Sequence, residues 1–307
     1  MPCLLYTSEL RLTRTETAEL QPAWSPSGRI AFVSYRSGGG DIYTMNADGG
    51  DVRRVSDWPG LEQSPSWSPD GKYLTFVGER DGKGVLAVVN ADGSGLRIVS
   101  GSLSEVAGPA WSPDGNKIAF VAALDNRPRI MVADLVRQTV DPLDPRGRGR
   151  EFGPIWSPDG RSVAYVLSGS RTEGVNLRLM RLGETAPIAL TANGYINSQP
   201  QFSPDGSKLL FLSNAASQGG YMKLQVMNAD GSAARSLTDW DHADMGASWS
   251  ADGRQIYFMS FRDWPGQVYR ANADGSDVRR LTQTRSQEGI PAVRLSAGMP
   301  PNPSRSQ

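Results

Sequence analysis

The sequence predicts an all-β fold, a six-bladed β-propeller of four-stranded antiparallel blades, and three observations support this prediction. An aromatic residue followed by Ser-Pro-Asp-Gly, or by a close variant, occurs six times along the 307 residues, at Trp24, Trp67, Trp111, Trp156, Phe202 and Trp249. Each copy precedes a short run in which every second residue is apolar. The chain is also rich in turn-forming residues, with 34 glycines and 21 prolines. Repeats of about 40 to 50 residues built from short strands are typical of propeller blades.

The Ser-Pro-Asp-Gly segments are interpreted as tight turns between the first and second strands of each blade. Proline presets φ, aspartate hydrogen-bonds locally, and glycine accepts a positive φ without steric cost. The alternating run after the turn buries one face and therefore predicts a second strand. Its apolar pairs are Ile30/Phe32, Leu74/Phe76, Ile118/Phe120, Val163/Tyr165, Leu209/Phe211 and Ile256/Phe258.

Two more strands complete each unit. A loop rich in Gly, Ser and Arg leads to a third strand, for example residues 41–45 or 223–227. In four units this strand ends in Asn-Ala-Asp-Gly, a second hairpin turn, and a short fourth strand such as residues 52–55 follows. One blade alone leaves both of its faces uncovered. We therefore expect the six blades to pack around a common axis, with the repeat aromatics between them.

The units are not all regular. The third and fourth lack Asn-Ala-Asp-Gly, but their strands are still readable. Residues 10–13 resemble the last strand of a preceding unit, and residues 290–293 resemble a damaged first strand of a following one. These two segments either close the ring or mark a cut from a longer array, and the sequence leaves open whether the ring has six or seven blades. We expect a frayed N-terminus at 1–9, the propeller at 10–295, and a disordered tail at 296–307.

The composition argues against several classes of protein. The 32 basic and 32 acidic side chains give a formal net charge of +0, which offers no electrostatic footprint for nucleic acid. One cysteine, Cys3, excludes an internal disulfide framework, and one histidine, His242, argues against a histidine-rich metal site. No membrane span, signal peptide, G-x-S-x-G elbow, P-loop or dinucleotide fingerprint is visible. We therefore expect no cofactor, no metal site and no catalytic residue.

The repeat resembles that of the TolB-like propeller family over about residues 10–295. The matching motifs are Pro-x-Trp-Ser-Pro-Asp-Gly, Ile-Ala-Phe-x-Ser, Ile-Tyr-x-Met-Asn-Ala-Asp-Gly-Ser and Arg-Arg-Leu-Thr. The resemblance implies a non-catalytic, periplasmic scaffold of the bacterial envelope, similar to the propeller of the Tol–Pal system that binds the peptidoglycan-associated lipoprotein. Two alternatives stay open: a propeller of an enzyme acting on a polysaccharide or peptide, and a sensor propeller belonging to a larger protein.

A polar residue stands five positions before most of the repeat aromatics, at the predicted start of each innermost strand. In a propeller this position lies at one mouth of the central channel. In the third unit the position holds Val106, and a carboxylate is shifted by one residue to Glu105. We expect an inner ring formed by Glu19, Glu62, Glu105, Glu151, Asn197 and Asp244.

The loops between second and third strands open on the same face and carry an outer set of arginines. These are Arg36, Arg80, Arg127, Arg171 and Arg262. The two sets together predict a surface for a protein partner, with a basic segment at the channel and an acidic group outside it. The alternative interpretation is structural: each carboxylate pairs with a nearby arginine or caps a turn. Exposed pairs of that kind contribute only about 0–1 kcal/mol to stability.

Three further tryptophans lie in loops predicted for this face. They are Trp58, Trp240 and Trp264. Large aromatic side chains in exposed loops are typical anchors of protein or sugar recognition. Packing over the rim of a blade is the alternative, and the sequence leaves both open.

Overall fold

The computed structural model describes residues 12–13, 15–147, 149–169, 173–215, 217, 219–238 and 241–283. These residues form 24 strands in six four-stranded antiparallel sheets. Within them there is no helix, and hence none long and apolar enough to cross a membrane. The predictions for residues 1–9, 290–293 and 296–307 concern parts of the chain outside the described residues.

Each sheet is one blade, and its four strands follow one another in the order of the chain. Blade 1 contains β1 (Glu19–Trp24), β2 (Arg29–Ser34), β3 (Asp41–Asn46) and β4 (Arg53–Arg54). Blade 2 contains β5 (Glu62–Trp67), β6 (Tyr73–Arg80), β7 (Lys83–Asn90) and β8 (Arg97–Ile98). Blade 3 contains β9 (Ala107–Trp111), β10 (Lys117–Leu124), β11 (Arg127–Asp134) and β12 (Thr139–Pro142).

Blades 4 to 6 repeat this arrangement. Blade 4 contains β13 (Arg150–Trp156), β14 (Ser162–Ser168), β15 (Val175–Arg181) and β16 (Ile188–Ala189). Blade 5 contains β17 (Asn197–Phe202), β18 (Lys208–Ser213), β19 (Lys223–Asn228) and β20 (Arg235–Ser236). Blade 6 contains β21 (Asp244–Trp249), β22 (Gln255–Ser260), β23 (Gln267–Asn272) and β24 (Arg279–Arg280).

The first strand of each blade is the innermost. From blade 1 to blade 6, the first strands of neighbouring blades pack on one another, whereas the short fourth strands contact only their own third strand. The apolar side chains of the second and third strands are buried between adjacent sheets. The predicted six-bladed β-propeller is confirmed.

The repeat tryptophans join neighbouring blades. Trp67 is 8% exposed and packs in one cluster with Val33 and Ile42 of the preceding blade. Its indole Nε1 donates a hydrogen bond to the carbonyl oxygen of Ala23, at 3.2 Å. Trp111, Trp156 and Trp249 make the same kind of bond to the preceding inner strand. Each of these indoles therefore seals one blade boundary.

Every inner strand contains an irregularity that the sequence did not predict. The residue three positions before the repeat aromatic has a φ between 50° and 58°, and there the pairing register with the second strand shifts. This is a β-bulge, which bends and twists the strand. The residues in this left-handed conformation are Gln21, Ser64, Gly108, Gly153, Gln199 and Gly246.

The glycine of the Asn-Ala-Asp-Gly turn serves two purposes. In blade 2, Gly93 has a φ of +91°, a conformation that favours glycine. A Cβ at Gly93 would also lie 2.7 Å from the carbonyl oxygen of Val55, just after the fourth strand of the preceding blade. The turn therefore packs backbone against backbone at the outer edge of the blade boundary.

The boundary between blade 6 and blade 1 differs from the other five. In the described part of the chain, β21 does not pack on β1 as extensively as other neighbouring inner strands pack. Leu281, which follows β24, is 50% exposed, whereas its counterpart Val55 after β4 is 5% exposed. A Cβ on Gly49 would instead lie 2.6 Å from the carbonyl oxygen of Leu12. Leu12 thus lies where the sequence placed the end of a preceding unit.

Candidate functional site

The antiparallel order of the strands gives the propeller two distinct ends. The loops between second and third strands, the connections between blades, and the starts of the inner strands lie at one end, which we call the loop face. The Ser-Pro-Asp-Gly and Asn-Ala-Asp-Gly hairpins lie at the other end, the turn face. The predicted binding residues belong to the loop face.

Glu62 lies at the start of its inner strand, as predicted, but its side chain is buried in the blade boundary, with 0% exposure. Its Oε2 accepts a hydrogen bond from the backbone N–H of Ile42 in the preceding blade, at 2.8 Å, and another from the hydroxyl of Ser56. Its Oε1 accepts from the backbone N–H of Trp58 at 3.3 Å. Glu62 therefore fastens two blades together and is not exposed at the channel mouth.

Three of its counterparts are buried in the same way. Glu151 is 1% exposed, and its Oε2 accepts from the backbone N–H of Ile130 at 2.8 Å. Asn197 is 0% exposed and donates to the carbonyl oxygen of Val175 at 3.0 Å. Asp244 is 0% exposed and accepts from a threonine hydroxyl. The expectation of an open ring of carboxylates is wrong for these residues, because each reaches into the preceding blade boundary.

The remaining two members of the predicted ring behave differently. Glu19 pairs within its own blade, where its Oε1 lies 2.9 Å from Nη2 of Arg36. Glu105 is exposed, and Val106 takes the equivalent buried position instead. Val106 packs in one apolar cluster with Val77 and Leu86 of blade 2. An apolar contact thus replaces the polar one at the boundary between blades 2 and 3, so Glu105 is not part of a ring.

A set of hydroxyls that the sequence interpretation missed completes these contacts. In four blades a Ser or Thr just after the short fourth strand accepts a hydrogen bond from a backbone N–H of the third strand, donated by Leu86, Leu177, Leu224 or Val268. These residues are Ser100, Thr191, Thr238 and Thr282. Thr238 also donates to Oδ2 of Asp244 at 2.6 Å. The sequence contained a signal for these hydroxyls, because the threonine of the Arg-Arg-Leu-Thr motif, or a serine in its place, recurs at this position.

The predicted arginines do not form a uniform outer ring. Arg36 is held by Glu19 and lies over the rings of Phe32 and Tyr43. Arg262 lies over the ring of Tyr269, with its Cζ 4.9 Å from the ring centre. The other two described members, Arg80 and Arg127, are exposed, and Arg171 lies outside the described residues.

The loop tryptophans divide between the two interpretations. Trp58 is half-buried, packs over Gly78, and its Nε1 donates to the carbonyl oxygen of Glu79, so it covers the rim of a blade. Trp264 is 83% exposed, the largest exposure among the described large apolar side chains, and its ring lies 6.2 Å from that of Phe261. Trp240 lies outside the described residues.

No group of three or more His, Cys, Asp or Glu side chains in the described segments is arranged to hold a metal ion. His242 is exposed in the connection between blades 5 and 6. The position of Cys3 lies outside the described part of the chain.

Burial of Glu62 predicts an unusual pH dependence of stability. Desolvation raises the pKa of Glu62 above its ordinary value of 4.5, and the hydrogen bonds from Ser56 and Ile42 oppose this shift only in part. Because the folded state binds this proton more tightly, the contribution of Glu62 to stability falls as the pH rises above 4.5. We expect Glu62→Gln to remove that fall, as measured by urea unfolding across pH 4 to 8.

Asp70 supplies a contrast for this experiment. The hydroxyl of Ser68 holds the pKa of Asp70 below 3.8, so its contribution is present above that pH and is lost as the pH falls. Asp70→Asn should therefore change only the acidic end of the stability profile. If the free energies of unfolding of the parent chain and of Glu62→Gln changed with pH in the same way, the assignment of Glu62 as a desolvated carboxylate would be contradicted.

Comparison with known proteins gives this architecture a family. A family model described as the TolB beta propeller domain matches residues 5–102 and 83–219. The Tol-Pal system protein TolB of Francisella tularensis subsp. mediasiatica is 37% identical over 70 residues, which cover 22% of this chain and 16% of that protein. The match therefore spans about a sixth of the relative's length.

Two solved structures illustrate the range of similar folds. TolB from Acinetobacter baumannii superposes with a TM-score of 0.60 and 21% identity, over 81% of this chain and 62% of that one. An oligogalacturonate lyase in complex with manganese gives a TM-score of 0.72 and 17% identity, over 88% and 79% of the two chains. At these identities the likeness shows the fold alone. The family match covers more than half of the residues, and the chain belongs to the TolB β-propeller family.

Proposed function

We propose that this propeller is a non-catalytic protein-binding scaffold of the bacterial cell envelope and that its loop face receives the partner. The observation that carries the proposal is a set of exposed apolar side chains on that face. They are Tyr35, Leu61, Tyr195, Ile196, Tyr221 and Trp264. Exposed aromatic and aliphatic side chains gathered on one face are typical of protein interaction sites.

The backbone of two of these residues is held by hydrogen bonds to blade 4 and to blade 5. The N–H of Ile196 donates to Oδ1 of Asn214 at 2.8 Å, and the carbonyl oxygen of Tyr195 accepts from the N–H of Val175 at 3.0 Å. Tyr195 and Ile196 are nevertheless 46% and 47% exposed. Apolar side chains on a pre-ordered loop bind a partner with a smaller entropic cost than a flexible loop would.

Family membership supports the compartment and the partner class that we propose. A relative that shares 37% identity over 70 residues carries the name Tol-Pal system protein. We infer a periplasmic location and an envelope lipoprotein, such as the peptidoglycan-associated lipoprotein, as the partner.

The test compares two exposed apolar sites on opposite faces. Trp264→Ala combined with Tyr221→Ala removes two anchors from the loop face. Val136→Ala removes a side chain that is 72% exposed on the turn face. We expect the double variant to weaken binding of purified peptidoglycan-associated lipoprotein by about tenfold or more in titration calorimetry, and the Val136 variant to bind like the parent chain.

Equal affinity for all three proteins would place the binding surface elsewhere, and no binding by the parent chain would overturn the partner assignment. The non-catalytic part of the proposal has its own measurement. A stoichiometric transition metal in the purified protein, found by elemental analysis, would favour an enzyme instead.

A further inference from the structure

The face of blade 6 that points away from blade 5 is less covered than the same face of the other blades. In blades 1 to 5 the inner strand of the next blade packs on this face, whereas in the described part of the chain β1 does not pack on blade 6 in this way. Val268 is half-buried, but the residues in the same register of the other five blades are at most 1% exposed. Those residues are Ile42, Leu86, Ile130, Leu177 and Leu224. We call this surface, formed by Tyr257, Val268 and Arg270, the open face.

The size of Tyr257 limits which residue can cover the open face. At the other five boundaries the residue in this register is smaller than tyrosine and is at most 1% exposed. These residues are Ala31, Thr75, Ala119, Ala164 and Leu210. Trp67, for example, packs in one cluster with Ala31. Because protein interiors are close-packed, the large side chain of Tyr257 requires a small residue at the repeat position opposite it, and Trp24 of blade 1 is not small.

The chain that follows blade 6 carries the sequence of an inner strand with a small residue at the aromatic position. Residues 288–293 read Glu-Gly-Ile-Pro-Ala-Val, compared with Glu-Leu-Gln-Pro-Ala-Trp in β1. They lie outside the described residues. Val293 takes the place of the repeat aromatic, and Pro291 takes the place of the proline that precedes it by two positions in five blades. The segment therefore combines the inner-strand pattern with a residue small enough to lie against Tyr257.

Thr282 places a hydroxyl where the other blades use one to meet the next inner strand. In blade 5 the hydroxyl of Thr238 donates to Oδ2 of Asp244, six residues later, at 2.6 Å. In blade 6 the hydroxyl of Thr282 donates instead to Oε1 of Gln267, in its own blade, at 2.9 Å. Glu288 stands six residues after Thr282. The chain thus supplies a carboxylate at the spacing that joins blades 5 and 6.

We propose that residues 288–293 pack on the open face of blade 6 as a further inner strand. The carboxylate of Glu288 accepts a hydrogen bond from the hydroxyl of Thr282, and Val293 packs on Tyr257. The occupant of the open face is a segment of this chain and not the inner strand of blade 1. This packing is independent of the proposed binding function.

Disulfide trapping in the full chain tests this packing. At the other boundaries the residue before one repeat aromatic meets the next repeat aromatic, as Nε1 of Trp67 meets the carbonyl oxygen of Ala23 at 3.2 Å. Position 248 should therefore meet position 293. The trapping variant carries Ser248→Cys and Val293→Cys, with Cys3→Ser to remove the native thiol.

A second pair in the same background, Ser248→Cys with Met299→Cys, is the matched control, because it places the thiol six residues further along the chain. We expect the pair at 248 and 293 to form a disulfide within one chain about tenfold faster than the control pair. Non-reducing electrophoresis and peptide mapping measure both rates. Equal rates for the two pairs would overturn the proposal.

Two further outcomes would assign the open face to another occupant. If Ser248→Cys formed a disulfide with Trp24→Cys faster than with Val293→Cys, blade 1 would cover the open face directly. If the disulfide of Ser248→Cys and Val293→Cys formed between two chains, the occupant would belong to a second copy. Either result would contradict packing by the chain's own segment.

The contact of Glu288 has a separate readout. In the trapping variant, Glu288→Ala should slow disulfide formation by about tenfold, because a hydrogen bond to a charged group is lost. Gln287→Ala, at the neighbouring position, should leave the rate unchanged. The same rate in both variants would show that the carboxylate does not hold the segment and would overturn its assignment.

Discussion

Arg129→Met is expected to lower the free energy of unfolding by about 3–5 kcal/mol at neutral pH. The side chains of Arg129 and Glu151 are only 8% and 1% exposed, and Nε and Oε1 are 3.1 Å apart. Removal of the guanidinium leaves the Glu151 carboxylate buried, next to Asp144, with no cation to balance it. Urea unfolding of the parent chain and the variant measures this loss.

The pH dependence distinguishes an unbalanced charge from lost packing. Burial raises the pKa of Glu151, and Arg129 opposes that shift. Without Arg129 the folded-state pKa rises further, so the penalty is full above that pKa and disappears as the pH falls below 4.5, where the carboxyl is protonated in both states. The variant should therefore recover most of its loss at pH 4.

A second variant provides the control for this interpretation. Arg129→Met combined with Glu151→Gln removes both charges, and paired replacement of a buried ion pair is often nearly neutral. The double variant should therefore be more stable than Arg129→Met alone at neutral pH. A loss in Arg129→Met that is the same at pH 4 and pH 7 would show that the methylene groups, and not the charge, stabilise this boundary.

The blades could be predicted from the sequence because the determinants of each hairpin are local. Pro, Asp and Gly specify the turn within four residues, and the period-two apolar pattern specifies the buried face of the strand that follows. The inner-strand bulge was not predictable in the same way. Its left-handed residue is Gly in three blades but Gln21, Gln199 or Ser64 in the others, so residue type alone does not mark it.

The sequence analysis placed the polar residues of the loop face correctly along the chain. It did not predict the direction in which their side chains point. The partner of Glu62 is the N–H of Ile42, twenty residues earlier and in another blade. A repeat pattern fixes height along the propeller axis but does not show which neighbour a side chain meets. Comparison of the blades would have helped, because an apolar residue at this position of blade 3 indicates a buried site, and Val106 packs with Leu86 of blade 2.

Trp111→Ala is expected to lower the free energy of unfolding by about 3–5 kcal/mol, the usual loss for a large buried aromatic residue. Trp111 is 9% exposed, shares a core cluster with Val77 and Leu86 of blade 2, and stacks on Tyr73. Its Nε1 donates to the carbonyl oxygen of Ser66 at 3.2 Å. Truncation therefore opens a cavity at a blade boundary and leaves that carbonyl without its partner.

The corresponding tryptophan of blade 1, Trp24, provides the matched comparison for Trp111→Ala. Trp24 is only half-buried, and in the described structure its indole makes no hydrogen bond of the kind that joins the other blades. Trp24→Ala should therefore cost about half as much as Trp111→Ala in parallel urea titrations. Equal losses of unfolding free energy would mean that in solution Trp24 is packed against a neighbouring blade as closely as Trp111 is. The ratio of the two losses thus measures how completely the boundary between blades 6 and 1 is closed.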